Sequence, residues 1–188
     1  MSLVPAFEIS LWNAWLFMIV FILQMLAVIC LGKRMLERTG HPAMVRQSKI
    51  ESYSGIIGNT IWLGATIYSV FLPFQLGTAW FYIGLAVFFV GFIILVISTY
   101  NFTIAPMDKP VTNGVYRLSR HPGYLSLVLV YVAISVAAGS WVFLILAVAN
   151  IYWMRVEALV EERYCLETYG NDYREYMNRT PRWAGIPK

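Results

Sequence analysis

The 188-residue chain is 59% hydrophobic and only 13% charged, with a formal net charge of +4. A soluble domain carries about 25% charged residues. No Asp, Glu, Lys or Arg occurs from Ser52 to Met107 or from His121 to Met154, and only Glu8 is charged before Lys33. A water-soluble fold with such stretches would expose large apolar patches, which excludes a soluble enzyme, a disordered chain and a disulfide-stapled secreted module. The composition predicts an all-α integral membrane protein.

In chain order, the first predicted span is Leu11–Gly32, long enough to cross a bilayer at about 20 residues per crossing. It lacks a positive n-region and a small-residue cleavage site, so it reads as a retained span and not a signal peptide. The uncharged run from Ser52 divides at the Pro73/Gly77 turn signal into spans of about Gly55–Phe74 and Ala79–Thr103. Small residues at helical spacing, Ser54/Gly58, Ala65/Ser69 and Ala133/Ala137, suit close helix packing in lipid. The run from His121 to Met154 is short for two full spans and too long for one. Its centre, Ala137-Ala138-Gly139-Ser140, is small and turn-permissive, which predicts a tight helical hairpin whose second helix continues past Arg155.

Five spans place segments 33–51, 109–120 and 155–188 on one side, and these hold all 14 Lys and Arg residues. The positive-inside rule then puts them in the cytoplasm and the N-terminus outside. Residues 1–104 are read as three N-terminal transmembrane helices. Residues 105–188 are the catalytic hairpin of helices four and five plus a cytoplasmic amphipathic tail, within the same single domain. Cys30, Cys165, His41 and His121 form no metal-ligand pattern, and no basic patch with stacking aromatics points to nucleic acid.

The hairpin predicts a meeting of polar clusters. His121-Pro122 opens the fourth helix with proline at its first turn, preceded by the polar, basic stretch Thr112–Arg120. From His121 to the turn and from the turn to Glu161 are roughly 27 and 32 Å at about 1.5 Å per residue, so His121 and Glu161 lie at similar depth. Glu157 and Glu161 are like charges at i,i+4, which cost a helix about 0.2–0.5 kcal/mol, and carboxylates near membrane depth need partners. Either Arg155, Arg163, Arg117 or Arg120 pairs with Glu157, Glu161 and Glu162 to hold the hairpin shut, or the glutamates receive a cationic ligand. The fifth helix is expected to end near Tyr169, with Gly170 as its C-terminal glycine. Tyr169, Tyr173 and Tyr176 share one face of the tail, which either rests on lipid headgroups or covers the cytoplasmic mouth of the hairpin.

Gly114-Val115-Tyr116-Arg117, Arg120-His121-Pro122-Gly123-Tyr124, a hairpin, Glu161-Glu162, Tyr169-Gly170 and Tyr173/Tyr176 together resemble the signature of the integral-membrane methyltransferases, from Val111 to Trp183. That superfamily includes isoprenylcysteine carboxyl methyltransferases and phospholipid N-methyltransferases. The resemblance implies S-adenosylmethionine as methyl donor, without a metal, and a lipophilic acceptor reaching the site from the bilayer. It implies that Gly114, Tyr116, Arg120, His121, Pro122, Tyr124 and Glu162 bind the cofactor, and that Glu161, Glu162 and Arg155 are catalytic. Phospholipid-type members often carry glycine two residues after the motif tyrosine, where this chain has Ser126. Trp62, Tyr68, Trp80 and Tyr82 are expected as apolar wall residues near the acceptor's entrance. A nicotinamide-dependent reductase of the sterol-reductase type shares a similar hairpin and histidine motif, but such proteins are generally longer. A non-enzymatic membrane adaptor has little support, because Asn13, Gln24, Asn59 and Gln75 are scattered.

Overall fold

A computed structural model describes residues 7–30 and 48–186. Most of the basic segment 33–51, with His41, lies outside the described residues, as does the end of the first predicted span. The described residues form six α-helices and no strand: α1 Trp15–Cys30, α2 Lys49–Val70, α3 Ala79–Ile104, α4 Pro122–Ala137, α5 Trp141–Tyr169 and α6 Asn171–Arg179, with a 3₁₀ turn at Gly114–Arg117. Of the five helices assigned to the bilayer by sequence, α3 and α5 are long and apolar enough to cross it, and Trp15–Ala27 and Pro122–Ala137 are shorter apolar helices.

Two helix starts differ from the sequence reading, for identifiable reasons. Before α1 the chain is not helical: Ala14 N–H donates to Leu72 O at 2.9 Å and Phe74 N–H to Trp12 O at 3.1 Å. The fully buried Asn13 amide donates to Glu8 O at 2.6 Å and Val70 O at 2.7 Å, satisfying a carbonyl left open at the end of α2. At its other end α2 begins at Lys49, six residues before the hydropathic boundary, because Ser48 and Glu51 form a capping box. Hydropathy finds the apolar part of a helix but not its polar, capped end.

The hairpin forms at the expected place. Gly139 N–H donates to Val136 O and Ser140 N–H to Ser135 O, while the Ser140 hydroxyl accepts from Phe143 N–H at 3.2 Å to start α5. Gly139 has φ +63°, a left-handed conformation, and a Cβ there would meet the Gln75 side chain at 2.3 Å. Ala133 and Ala137 are fully buried, and α3 approaches them so closely that a Cβ at Gly84 would lie 2.7 Å from Ala133 O. Phe17 of α1 stacks on Phe88 of α3 at a ring-centroid distance of 4.0 Å and sits 4.6 Å from Phe74. This core holds α1, α3 and α4 together, while the outer faces present exposed Phe89, Val90, Ile93, Val96, Ile145 and Val148. α5 continues about four turns beyond its uncharged stretch, which ends at Met154, and carries the glutamates back to the N-terminus of α4.

Candidate functional site

Where α5 and α6 meet the N-terminus of α4, the chain encloses a cavity of about 500 Å³. Small-molecule sites occupy about 300–1,000 Å³. Arg120, His121, Gly123 and Tyr124 supply one part of its wall, Glu161, Tyr164, Cys165 and Tyr169 another, and Tyr116, Tyr173 and Tyr176 a third. Phe21 and Gln24 of α1 with Ser98, Thr99 and Phe102 of α3 complete it on the side of the apolar helices, where Gln24 Nε2 donates to Thr99 Oγ1 at 3.3 Å.

Local structure explains how each group arrives. Gly114 has φ +60° and lies so close to Asn101 that a Cβ would sit 2.0 Å from its Nδ2. Only glycine lets the 3₁₀ turn settle on the end of α3, which brings Tyr116 to the cavity. His121 is the N-cap of α4 with Pro122 as the first helical residue, and no side chain caps that end. Gly170, φ +56°, ends α5 and starts α6 in one step. α6 thereby folds back over the cavity: Tyr176 OH donates to Tyr116 O at 2.6 Å and Arg120 Nη1 to Met177 O at 3.2 Å, while at the end of α5 Tyr169 OH donates to Met107 O at 3.4 Å. Tyr173 and Tyr176 are buried, so the tail covers the hairpin mouth instead of resting apart from it. Burial raises both phenols above their ordinary range and keeps them neutral.

His121 links the two adjacent glutamates. Its Nδ1 lies 3.2 Å from Glu161 Oε2 and its Nε2 3.2 Å from Glu162 Oε1. Only the imidazolium has a proton on both ring nitrogens. Burial alone would lower the His121 pKa, but the hydrogen bonds and charges of Glu161 and Glu162 outweigh it and hold the group above its ordinary value. Such a histidine stabilises the fold fully below the unfolded-state pKa, about 6.5, and loses that contribution as pH rises through the folded-state value. The apparent melting temperature of the purified protein therefore falls as pH is raised above about 6.5. His121→Gln abolishes that slope and His41→Gln retains it; a slope unchanged in His121→Gln would contradict the ionic bridge.

The resemblance puts both Glu161 and Glu162 in the catalytic set and Glu162 also among the cofactor-binding residues, and the structure separates their surroundings. Glu162 is buried and already meets four donors: Arg182 Nε at 2.9 Å, Arg182 Nη2 at 2.7 Å, Arg120 Nη2 at 3.0 Å and His121 Nε2. A carboxylate has about four acceptor positions, so Glu162 is saturated, and it does not line the cavity. Glu161 does line it, with 35% of its side chain exposed, and accepts a short hydrogen bond from Tyr124 OH. Tyr124 stacks almost parallel to the His121 ring at 5.5 Å. Of the expected cofactor residues, Tyr116, Arg120, His121 and Tyr124 line the cavity, whereas Gly114 and Pro122 shape the backbone beside it.

Arg155, expected among the catalytic residues, is exposed and does not line the cavity. At about 100° per residue, six residues before Glu161 place it on a different face of α5. Arg163 pairs with Glu51 at 2.8 Å and not with the glutamates of its own helix, and Glu157 accepts from Trp153 Nε1 at 3.2 Å. Trp62, Tyr68, Trp80 and Tyr82 are likewise absent from the wall, where α1 and α3 present Phe21, Gln24 and Phe102 instead. Ser126 is fully buried, and its hydroxyl donates to Gly123 O at 2.7 Å, so the departure from glycine does not reach the cavity. Sequence reasoning missed Arg182, whose position in a short polar tail offers no periodic signal. Among the described residues no cluster of His, Cys, Asp and Glu could hold a metal.

The arrangement suits a ligand carrying both charges. Glu161 offers a carboxylate to a cation, with tyrosine rings around it. Arg120 Nε is buried without a partner among the described residues, and the uncapped N-terminus of α4 favours an anion. Comparison with known proteins identifies a family. The family model described as "PEMT: Phospholipid methyltransferase" matches residues 72–172, just over half of the chain. No curated protein and no solved structure matches it. The chain belongs to the phospholipid methyltransferase family, a family of integral-membrane methyltransferases.

Proposed function

From that membership we propose that this membrane methyltransferase takes its methyl group from S-adenosylmethionine and passes it to a lipid or lipid-like acceptor held in the bilayer. The observation that carries the reading is the cavity beneath α6, which joins a zwitterionic end to an apolar side. The donor has a sulfonium, an ammonium and a carboxylate, and bound there it would supply an electrophilic methyl group. Glu161 would face its cationic groups, while Arg120 and the start of α4 would take its carboxylate. Tyr116, Tyr173 and Tyr176 would exclude water, and alignment of this kind can supply up to about 7–11 kcal/mol of a displacement barrier.

On the acceptor side, Phe21, Phe102 and Leu127 form an apolar wall on the spans, and the acceptor would reach it from the lipid. Phosphatidylethanolamine-type amines and isoprenylcysteine carboxylates both fit this description. An amine must lose a proton before attack, and Glu161 is the cavity carboxylate able to take it; a carboxylate needs no base. Five crossings with the N-terminus outside would put this cavity, with segments 109–120 and 155–188, at the cytoplasmic face. The family match favours this reading over the nicotinamide-dependent reductase.

Purified protein incubated with methyl-labelled S-adenosylmethionine and a membrane lipid extract tests the proposal. The expected result is label in the organic-soluble fraction, with mass spectrometry naming the acceptor. Absence of labelled lipid with phosphatidylethanolamine, prenylcysteine and total extract alike would overturn it. Thermal stabilisation by a nicotinamide cofactor but not by S-adenosylmethionine would also overturn it, in favour of the reductase.

A further inference from the structure

Residues 180–185 follow α6 as a strap along the segment that leads into α4. Arg120 N–H donates to Pro181 O at 3.0 Å, Gly185 N–H to Leu118 O at 3.2 Å, and the Ser119 hydroxyl to Arg182 O at 3.2 Å. The same Ser119 oxygen accepts His121 N–H at 3.1 Å. The strap therefore fixes the backbone of the residue that joins the two glutamates. Its side chains act there too: the Arg182 guanidinium grips Glu162 with two bonds, and the Trp183 ring lies 6.1 Å from the His121 ring. This segment lies beyond the 72–172 stretch that matches the family model.

Arg182 does not line the cavity, and neither does Glu162. They form a relay behind its wall: Arg182 to Glu162, Glu162 to His121 Nε2, and His121 Nδ1 to Glu161, which faces the cavity. A planar fork on a carboxylate fixes its orientation as well as its charge. We propose that Arg182 is a positioning residue of the methyl-transfer site, holding Glu162, and through it His121, so that Glu161 keeps its charge and direction toward the cavity.

The meaning of the cavity rests on the methyltransferase reading, but the relay does not. The charged and titratable groups around His121 are Glu161 and Glu162 from α5, Arg120 from the preceding segment, Tyr124 from α4 and Arg182 from the strap. With the Arg182 cation removed, the negative charge of Glu162 falls more fully on His121, and the imidazole titrates at higher pH. A merely structural loss of the strap would open His121 to water and loosen both glutamate contacts, bringing its titration back toward that of a free histidine. The direction of the change separates the two roles.

The test is the titration of His121 by histidine-selective NMR on the intact protein in detergent, for wild type, Arg182→Gln and Arg182→Lys. The signal is assigned against His41→Gln, since the chain has only two histidines. Equilibrium binding of labelled S-adenosylmethionine is measured on the same samples. The expected result is an upward move of the titration in Arg182→Gln with at least a tenfold loss of donor affinity. Arg182→Lys keeps the wild-type titration and at least threefold more affinity than Arg182→Gln. An unmoved or lowered titration in folded Arg182→Gln overturns the proposal, as does unchanged affinity or a lysine variant that behaves like the glutamine one. Should Arg182→Gln fail to fold, Arg182→Lys decides alone: a wild-type titration with affinity within tenfold supports the relay, and loss of either overturns it. If wild type itself binds no S-adenosylmethionine, the methyl-donor reading fails, and the His121 titration still decides the role of Arg182.

Discussion

Glu162→Gln lowers the apparent melting temperature of the protein by on the order of 10 °C, the largest effect expected of any single change at the site. The side chain is 4% exposed and lies between Arg120, 9% exposed, and Arg182, 28% exposed. Removing one partner of a buried ion pair leaves a charge without compensation and costs about 3–5 kcal/mol. The lower end applies here, because water can reach Arg182. The glutamine amide also turns an N–H toward the guanidinium groups in place of an oxygen. Thermal unfolding in detergent measures the difference. A loss of only about 0–1 kcal/mol, as for a surface pair, would contradict the saturated, buried carboxylate.

Glu161→Gln has the opposite profile. Glu161 is partly exposed to the cavity and is held by one imidazole nitrogen and one phenol, so its neutral isostere leaves the fold near wild-type stability. What disappears is the charge offered to the ligand. A hydrogen bond to a charged group contributes about 1.5–3 kcal/mol, which corresponds to roughly a 10–100-fold loss of donor affinity. Equilibrium binding and melting curves on the same preparation separate the two glutamates. Wild-type affinity in Glu161→Gln would remove this residue from the binding site.

The contrast between these neighbours shows how far the sequence could be read. The hairpin was legible because a charge gap from His121 to Met154 can be folded only at its small-residue centre. The counting of helical rise brought His121 level with Glu161, and the structure places them 3.2 Å apart. What spacing could not tell was which glutamate faces inward, since adjacent residues on a helix differ by about 100° in direction. The resemblance put Arg155 in the catalytic set, and the structure places it exposed on a face of α5 other than that of Glu161. Arg182 was invisible for a different reason: its partner lies 20 residues back, across the turn at Gly170 and the length of α6. Such a contact is decided by tertiary folding, with no periodicity to betray it. The polar start of α2 and the non-helical residues before α1 were missed because capping and backbone pairing leave no trace in hydropathy.

The role of the tail was an open alternative in the sequence, between resting on headgroups and covering the hairpin. The three-residue and four-residue spacing of Tyr169, Tyr173 and Tyr176 defined a face but not its destination. Gly170 decides it, because its left-handed turn sends α6 back over the hairpin mouth, where Tyr173 and Tyr176 are buried.

The most direct measurement is ultraviolet cross-linking of methyl-labelled S-adenosylmethionine to the wild-type protein, followed by peptide mapping of the labelled sites. The account predicts label in the peptides spanning residues 116–124 and 161–176, suppressed by S-adenosylhomocysteine and weakened in Glu161→Gln. Label confined to other segments, or labelling that the competitor does not suppress, would contradict a methyl-donor site beneath α6.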